Sequence, residues 1–85
     1  MKIELRFFAG VREALGVTHE VVELPLQVKT VGEVRTFLQS RGGLWAEVLG
    51  PGKALRMAYG QVMCEPETEI EEGGEVAFFP PVTGG

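Results

Sequence analysis

One full-length amphipathic helix, announced by its own cap and set among segments that alternate every two residues, most restricts the folds open to this chain. Thr30-Val31-Gly32-Glu33 has the spacing of a capping box: the Thr hydroxyl accepts from the third amide on, and the Glu carboxylate reaches back. Val31, Val34, Phe37 and Leu38 then form an apolar stripe at helical spacing, opposed by Glu33, Arg35, Gln39 and Arg41. Arg41 suits the negative end of the helix dipole, and Gly42 suits a left-handed cap just beyond it. A shorter helix over 44–49 is expected to bury Leu44, Trp45, Val48 and Leu49 before Gly50-Pro51-Gly52 breaks it.

Elsewhere the period is two. Ile3, Leu5 and Phe7 share one face of the opening segment, and Lys2, Glu4 and Arg6 share the other. A short helical turn through Val11, Arg12-Glu13 and Leu15 stops at Gly16. A strand over 18–24 follows, with Val22 and Leu24 on one face, and ends at Pro25, which cannot donate to a ladder. These first two strands are expected to pair antiparallel across a wide connection. Leu55, Met57 and Tyr59 alternate with Arg56 and Ala58 as a third strand, and Gly60-Gln61 turns the chain into Val62-Met63-Cys64. An acidic connection over 66–72 points Ile70 inward, Gly73-Gly74 makes a turn, and Glu75-Val76-Ala77-Phe78-Phe79 is the last strand. One main helix across a mixed sheet of four or five strands is a two-layer α+β solution, the ubiquitin-like β-grasp arrangement. A chain of 85 residues and 9.2 kDa holds one such domain, expected over 1–79, with 80–85 left as an extended C-terminal arm.

Composition removes several classes of function. A net charge of −4 and a pI near 4.9 argue against phosphate-driven nucleic-acid binding, which needs clustered Lys and Arg. No apolar run approaches the ~20 residues of a spanning helix, and Met1-Lys2-Ile3-Glu4 does not read as a signal peptide. A cytoplasmic protein free of nucleic acid and membrane is the expectation. All 12 acidic residues are Glu, and Ser40 is the single serine, so hydrolytic triads and paired-Asp sites are poorly supplied. Cys64 has no adjacent cation to activate it and reads as a core residue. His19, at a strand start, reads as a surface or edge residue, and no bound metal or cofactor is expected. Gly52-Lys53 is no phosphate loop, because Glu47 stands where glycine is needed and Ala54 where Ser or Thr is needed. Glu65, Glu67, Glu69, Glu71 and Glu72 form a solvated face able to steer a basic partner.

The C-terminus is the feature least explained by folding alone. Phe79 runs directly into Pro80 and Pro81, which fix φ and remove donors, so the chain should project from the sheet as a stiff extended arm. Val82 and Thr83 lead to Gly84-Gly85, which carries no side chains and can enter a narrow channel of another protein. The competing reading is a frayed, inert end on a plain interaction domain. Strand phase adds a second feature: Phe78 and Phe79 must point to opposite faces, and Phe8 is out of phase with Ile3, Leu5 and Phe7. An aromatic turned away from the core beside the arm is a candidate partner contact, so Phe8, Phe78, Phe79 and the arm residues Pro80, Pro81, Val82 and Thr83 form the candidate docking set.

Phe78-Phe79-Pro80-Pro81-Val82-Thr83-Gly84-Gly85 closely resembles the C-terminus of the small-subunit family of molybdopterin synthase. Phe7-Phe8-Ala9, Arg12-Glu13 and Leu15-Gly16 resemble that family's opening segment, so the likeness spans the whole chain. Departures are Gly60, where the family often has Asn in the turn, and Glu in place of Asp before Gly73. The resemblance implies a ubiquitin-like sulfur carrier. The Gly85 carboxylate, with Gly84 beside it, would be adenylated by an enzyme of the ubiquitin-activating type at the expense of ATP. A sulfur donor enzyme would then convert it to a thiocarboxylate. A large catalytic subunit, in a heterotetramer, would use that sulfur on cyclic pyranopterin monophosphate to make molybdopterin. A thiamine-pathway sulfur carrier and a protein modifier conjugated through Gly85 are the alternatives.

Overall fold

The capping box at Thr30 forms as its spacing predicts. Glu33 N–H donates to Thr30 Oγ1 at 3.1 Å, while Thr30 N–H and Lys29 N–H donate to the Glu33 carboxylate at 3.1 and 2.8 Å. The computed structural model describes residues 1–81. Its elements in chain order are β1 (Lys2–Phe7), α1 (Ala9–Leu15), β2 (His19–Glu23), α2 (Val31–Gln39), α3 (Gly43–Val48), β3 (Arg56–Tyr59), β4 (Val62–Cys64) and β5 (Glu75–Phe79). The strands make one five-stranded mixed sheet in the order β2-β1-β5-β3-β4. As expected, β1 and β2 pair antiparallel, with α1 inside their connection. The last strand enters the middle of the sheet, parallel to β1 and antiparallel to β3. This is the β-grasp arrangement, with the helices on one face.

The core forms where that face meets the helices. Ile3, Leu5 and Phe7 from β1, Val76 and Phe78 from β5, and Val31, Val34 and Leu38 from α2 are all fully buried. Phe7 stacks on Phe78 with ring centroids 5.8 Å apart and meets Trp45 edge-on at 5.6 Å, an arrangement aromatic quadrupoles favour. The acidic connection is tied along the start of α2, since Val31 N–H donates to Thr68 O and Gly32 N–H to Pro66 O. Those carbonyls satisfy helix donors that have no intrahelical partner. Ile70 is buried, while Glu65, Glu67, Glu69, Glu71 and Glu72 are exposed.

Two local expectations are corrected. Gly42 does not cap α2: that helix ends in a right-handed Ser40, and Gly42, at φ 76°, precedes α3 and accepts from Trp45 and Ala46. Arg41 instead bridges Glu20 at 3.0 Å and lies 4.4 Å from the Trp45 ring centroid; its hydrogen bond to Glu20 raises its pKa. Leu44 is 56% exposed rather than buried, because α3 presses Trp45, Val48 and Leu49 inward and leaves its first turn uncovered. Gly60 and Gln61 both have positive φ, 57° and 68°, the geometry of a tight hairpin turn that Gly accepts as readily as Asn. At Gly74 a Cβ would collide with the Tyr59 hydroxyl, which accepts from Glu71 N–H at 2.7 Å.

Arg35 holds the loop that leads into β3. Its guanidinium donates to Leu49 O at 2.8 Å, Gly50 O at 2.6 Å and Lys53 O at 2.7 Å. Partial burial lowers its pKa, but the group stays charged. Arg35→Met keeps the apolar stem and removes every donor, so the unfolding free energy is expected to fall by about 2 kcal/mol, read as an earlier urea midpoint with an unchanged slope.

Candidate functional site

Strand pairing sorts the candidate aromatics by face. Phe7 and Phe78 are register partners across the β1–β5 pair, and both point into the core. Phe78 is fully buried and is therefore removed from the docking set: its side chain is committed to the Phe7 stack and the layer beneath α2. Phe79 is one residue on and faces the other way. Phe8 joins it because the chain leaves β1 there: Phe8 N–H donates to Phe78 O at 3.1 Å, and Ala9 turns the backbone at a positive φ of 49°. The two rings lie on the outer face with centroids 4.8 Å apart and planes 6° apart, each covering part of the other, so both are half-buried.

The rest of the outer face is built from neighbouring register positions. One row crosses the sheet as His19, Arg6, Ala77, Ala58 and Met63. Ala77 and Ala58 are buried although no helix covers them, since they are flanked by the larger side chains of this face. Met63 is 51% exposed on the edge strand. Arg56 stands opposite Phe79 across the β3–β5 pair. Phe79, Pro80, Pro81, Met63, Arg56 and Ala9 together line a shallow, mainly apolar groove at the point where β5 ends. Pro80 is half-buried and Pro81 exposed; Val82, Thr83, Gly84 and Gly85 lie outside the described residues.

Two of the polar contacts on this face are local pairs. Arg6 pairs with Glu75 at 3.2 Å and His19 with Glu4 at 3.0 Å. Cys64 pairs with Met57 on the inner side of the sheet and is partly buried against the core, in keeping with a packing role. Among the described residues no group of three or more His, Cys, Asp or Glu side chains is placed to hold a metal ion. No helix of the described residues is long and apolar enough to cross a membrane. The arrangement is a candidate recognition surface at the end of β5. Sequence reasoning missed Arg56 and Met63, which become part of that surface only through the register of a three-residue edge strand.

The comparisons with known proteins agree with this geometry. The molybdopterin synthase sulfur carrier subunit of Haemophilus influenzae is 40% identical over 83 residues, covering 98% of this chain and 99% of that protein. Among solved structures, SAMP1 of Haloferax volcanii, a small archaeal modifier protein, superposes with a TM-score of 0.76 at 21% identity, each chain covered in full. A chain in the complex of subunits 1 and 2 of the molybdopterin-converting factor of Helicobacter pylori superposes with a TM-score of 0.67 at 22% identity, again over the whole of both chains. At those identities the structural likeness speaks for the shared fold. A model of the ThiS family matches residues 5–85, and with the near-complete alignment to a sulfur carrier subunit this establishes that the chain belongs to the ThiS family.

Proposed function

We propose that this chain is the sulfur carrier of molybdopterin synthase, with Gly85 as its reactive terminus. The observation that carries the reading is the exit of β5: this strand, in the middle of the sheet, runs straight into Pro80-Pro81 beside an outward-facing aromatic pair. Residues 1–79 serve as the recognition body and 80–85 as the arm. A carboxylate is a poor electrophile, so charging needs activation. A Gly85 carboxylate oxygen attacks the α-phosphorus of ATP on an adenylating enzyme of the ubiquitin-activating type, and pyrophosphate leaves. A hydrosulfide-level nucleophile from a sulfur donor enzyme then adds to the carbonyl and expels AMP, leaving a thiocarboxylate. Within a cytoplasmic heterotetramer, the large subunit holds cyclic pyranopterin monophosphate while the arm presents the sulfur at high effective concentration. The thiocarboxylate sulfur displaces an oxygen leaving group from a carbon of the pterin side chain, and water then cleaves the resulting thioester at the Gly85 carbonyl, leaving the sulfur on the pterin and a carboxylate on Gly85. The carrier itself binds no cofactor; ATP is consumed by the partner.

The test is intact mass after incubation with ATP, the adenylating enzyme and the sulfur donor, using wild type and Cys64→Ser. Both proteins are expected to gain the mass of one oxygen-to-sulfur exchange, localised to Gly85 by fragmentation. Loss of that gain in folded Cys64→Ser would move the sulfur to the side chain and overturn the mechanism. Covalent adducts on other proteins would identify a modifier, productive transfer only into the thiamine pathway would identify that pathway's carrier, and no change at all would leave an inert interaction domain.

A further inference from the structure

Among the described residues two exposed cations of the outer face carry no ion pair, Lys2 and Arg56; Lys2 lies at the start of β1, and Arg56 is the one beside the end of β5, where the arm begins. The described residues place no ion pair or side-chain hydrogen bond on Arg56, whereas Arg6 and His19 on the same face are paired with Glu75 and Glu4. Its neighbours are apolar: Phe79 lies directly across the β3–β5 pair, and Met63 lies beside it along the same groove. Glu65, which shares the adjoining cleft with Arg56, is not within ion-pair distance. A lone guanidinium rimmed by aromatic and thioether groups has the composition of an interface hot spot. In a chain of net charge −4 it also marks the root of the arm as locally cationic.

We infer that Arg56 is a partner-selecting residue, which pairs with a carboxylate presented by the large subunit where that subunit packs over Phe79 and Met63. This rests on the reading that the outer face docks the large subunit. A guanidinium pushed against an apolar partner would be desolvated without compensation, so a surface lacking a carboxylate there is disfavoured. A carboxylate in that place gains a directed, charge-assisted hydrogen bond and speeds encounter. Arg56 thus separates partners of similar shape by charge, while the aromatic pair supplies contact area common to all of them.

The experiment measures association and dissociation rates of the carrier with its own large subunit at low salt and at about 0.5 M salt, where exposed charges are screened. Arg56→Glu is expected to bind at least about tenfold more weakly at low salt, chiefly through a slower on-rate, with most of the difference gone at high salt. Arg56→Gln should fall between, and changing the facing carboxylate of the large subunit to Lys should restore binding of Arg56→Glu. Melting curves should match wild type, because Arg56 is exposed. Phe79→Ala runs in parallel. If Arg56→Glu binds within about twofold of wild type at low salt while Phe79→Ala weakens binding, the face docks the large subunit but Arg56 does not select it. If neither variant weakens binding, the docking face itself is wrong and the Arg56 proposal falls with it.

Discussion

Adding one residue after Gly85 is expected to lower sulfur delivery by at least about 100-fold while leaving the folded domain unchanged. The proposed reaction occurs at one carbonyl carbon, which must meet the α-phosphorus of ATP in one enzyme and the pterin in another. An extra residue moves the carboxylate by up to about 3.5 Å along an extended chain and leaves an unreactive peptide carbonyl in its place. A misplacement of about 1 Å is already enough to cost on the order of 100-fold where effective concentration drives the rate. Deleting Gly85 shifts the reactive carbon as far in the other direction and should be as damaging. Gly84→Ala should be milder, since it adds only a methyl group and removes the backbone freedom particular to glycine. All core residues lie between Ile3 and Phe78, so the melting temperature should match wild type in every case. The measurement is ATP-dependent adenylation and product formation with purified partners. An extended protein that is charged and delivers sulfur as well as wild type would exclude the terminal carboxylate as the reactive group.

What the sequence discloses about this fold divides along the range of the interactions involved. The Thr30–Glu33 cap, the Gly60-Gln61 turn and the apolar stripe of α2 are legible because each is settled within about one turn of chain. Alternation in β1 likewise fixes Ile3, Leu5 and Phe7 as core without reference to any other strand. The central position of β5 is different. It depends on pairing Glu75–Phe79 with residues roughly 70 positions earlier, and the family of β-grasp folds rather than any local spacing points to it. Gly42 shows how a local rule can be right about a residue and wrong about its client: its positive φ is as expected, but it opens α3 instead of closing α2. Of the candidate site, the end of β5 is written plainly in Pro80-Pro81, because proline acts on its own backbone, whereas Gly84 and Gly85 lie outside the described residues. The proposed docking face is not legible in the same way. Arg56 and Met63 carry no signal until β3 and β4 are placed beside Phe79, and the burial of Ala58 and Ala77 on an uncovered face follows only from the size of their neighbours.

Phe78→Ala and Phe79→Ala should separate stability from recognition at adjacent positions. Strand alternation requires that one ring face inward, and pairing of Phe78 with Phe7 decides which. Phe78 is fully buried between Phe7 and the inner face of β3, so truncation leaves a cavity that rigid neighbours cannot close. The expected cost is about 3–5 kcal/mol, most of the stability a domain of this size possesses. The melting temperature should fall by at least about 12 °C, with partial unfolding at the growth temperature of a mesophile. Phe79 is half-buried and shares its face mainly with Phe8, so its removal should cost about 1 kcal/mol, the worth of an exposed aromatic pair. Its effect belongs to the complex: affinity for the large subunit should drop at least about tenfold, because the ring sits beside the arm it must help to orient. Calorimetry on each free variant and titration against the large subunit make the comparison. Equal losses of stability would mean that Phe79 is a core residue and that the outer face is no docking surface. A stable Phe78→Ala protein with weakened binding would mean that the register of β5 is shifted by one residue, turning the core side chain of that strand to the outside.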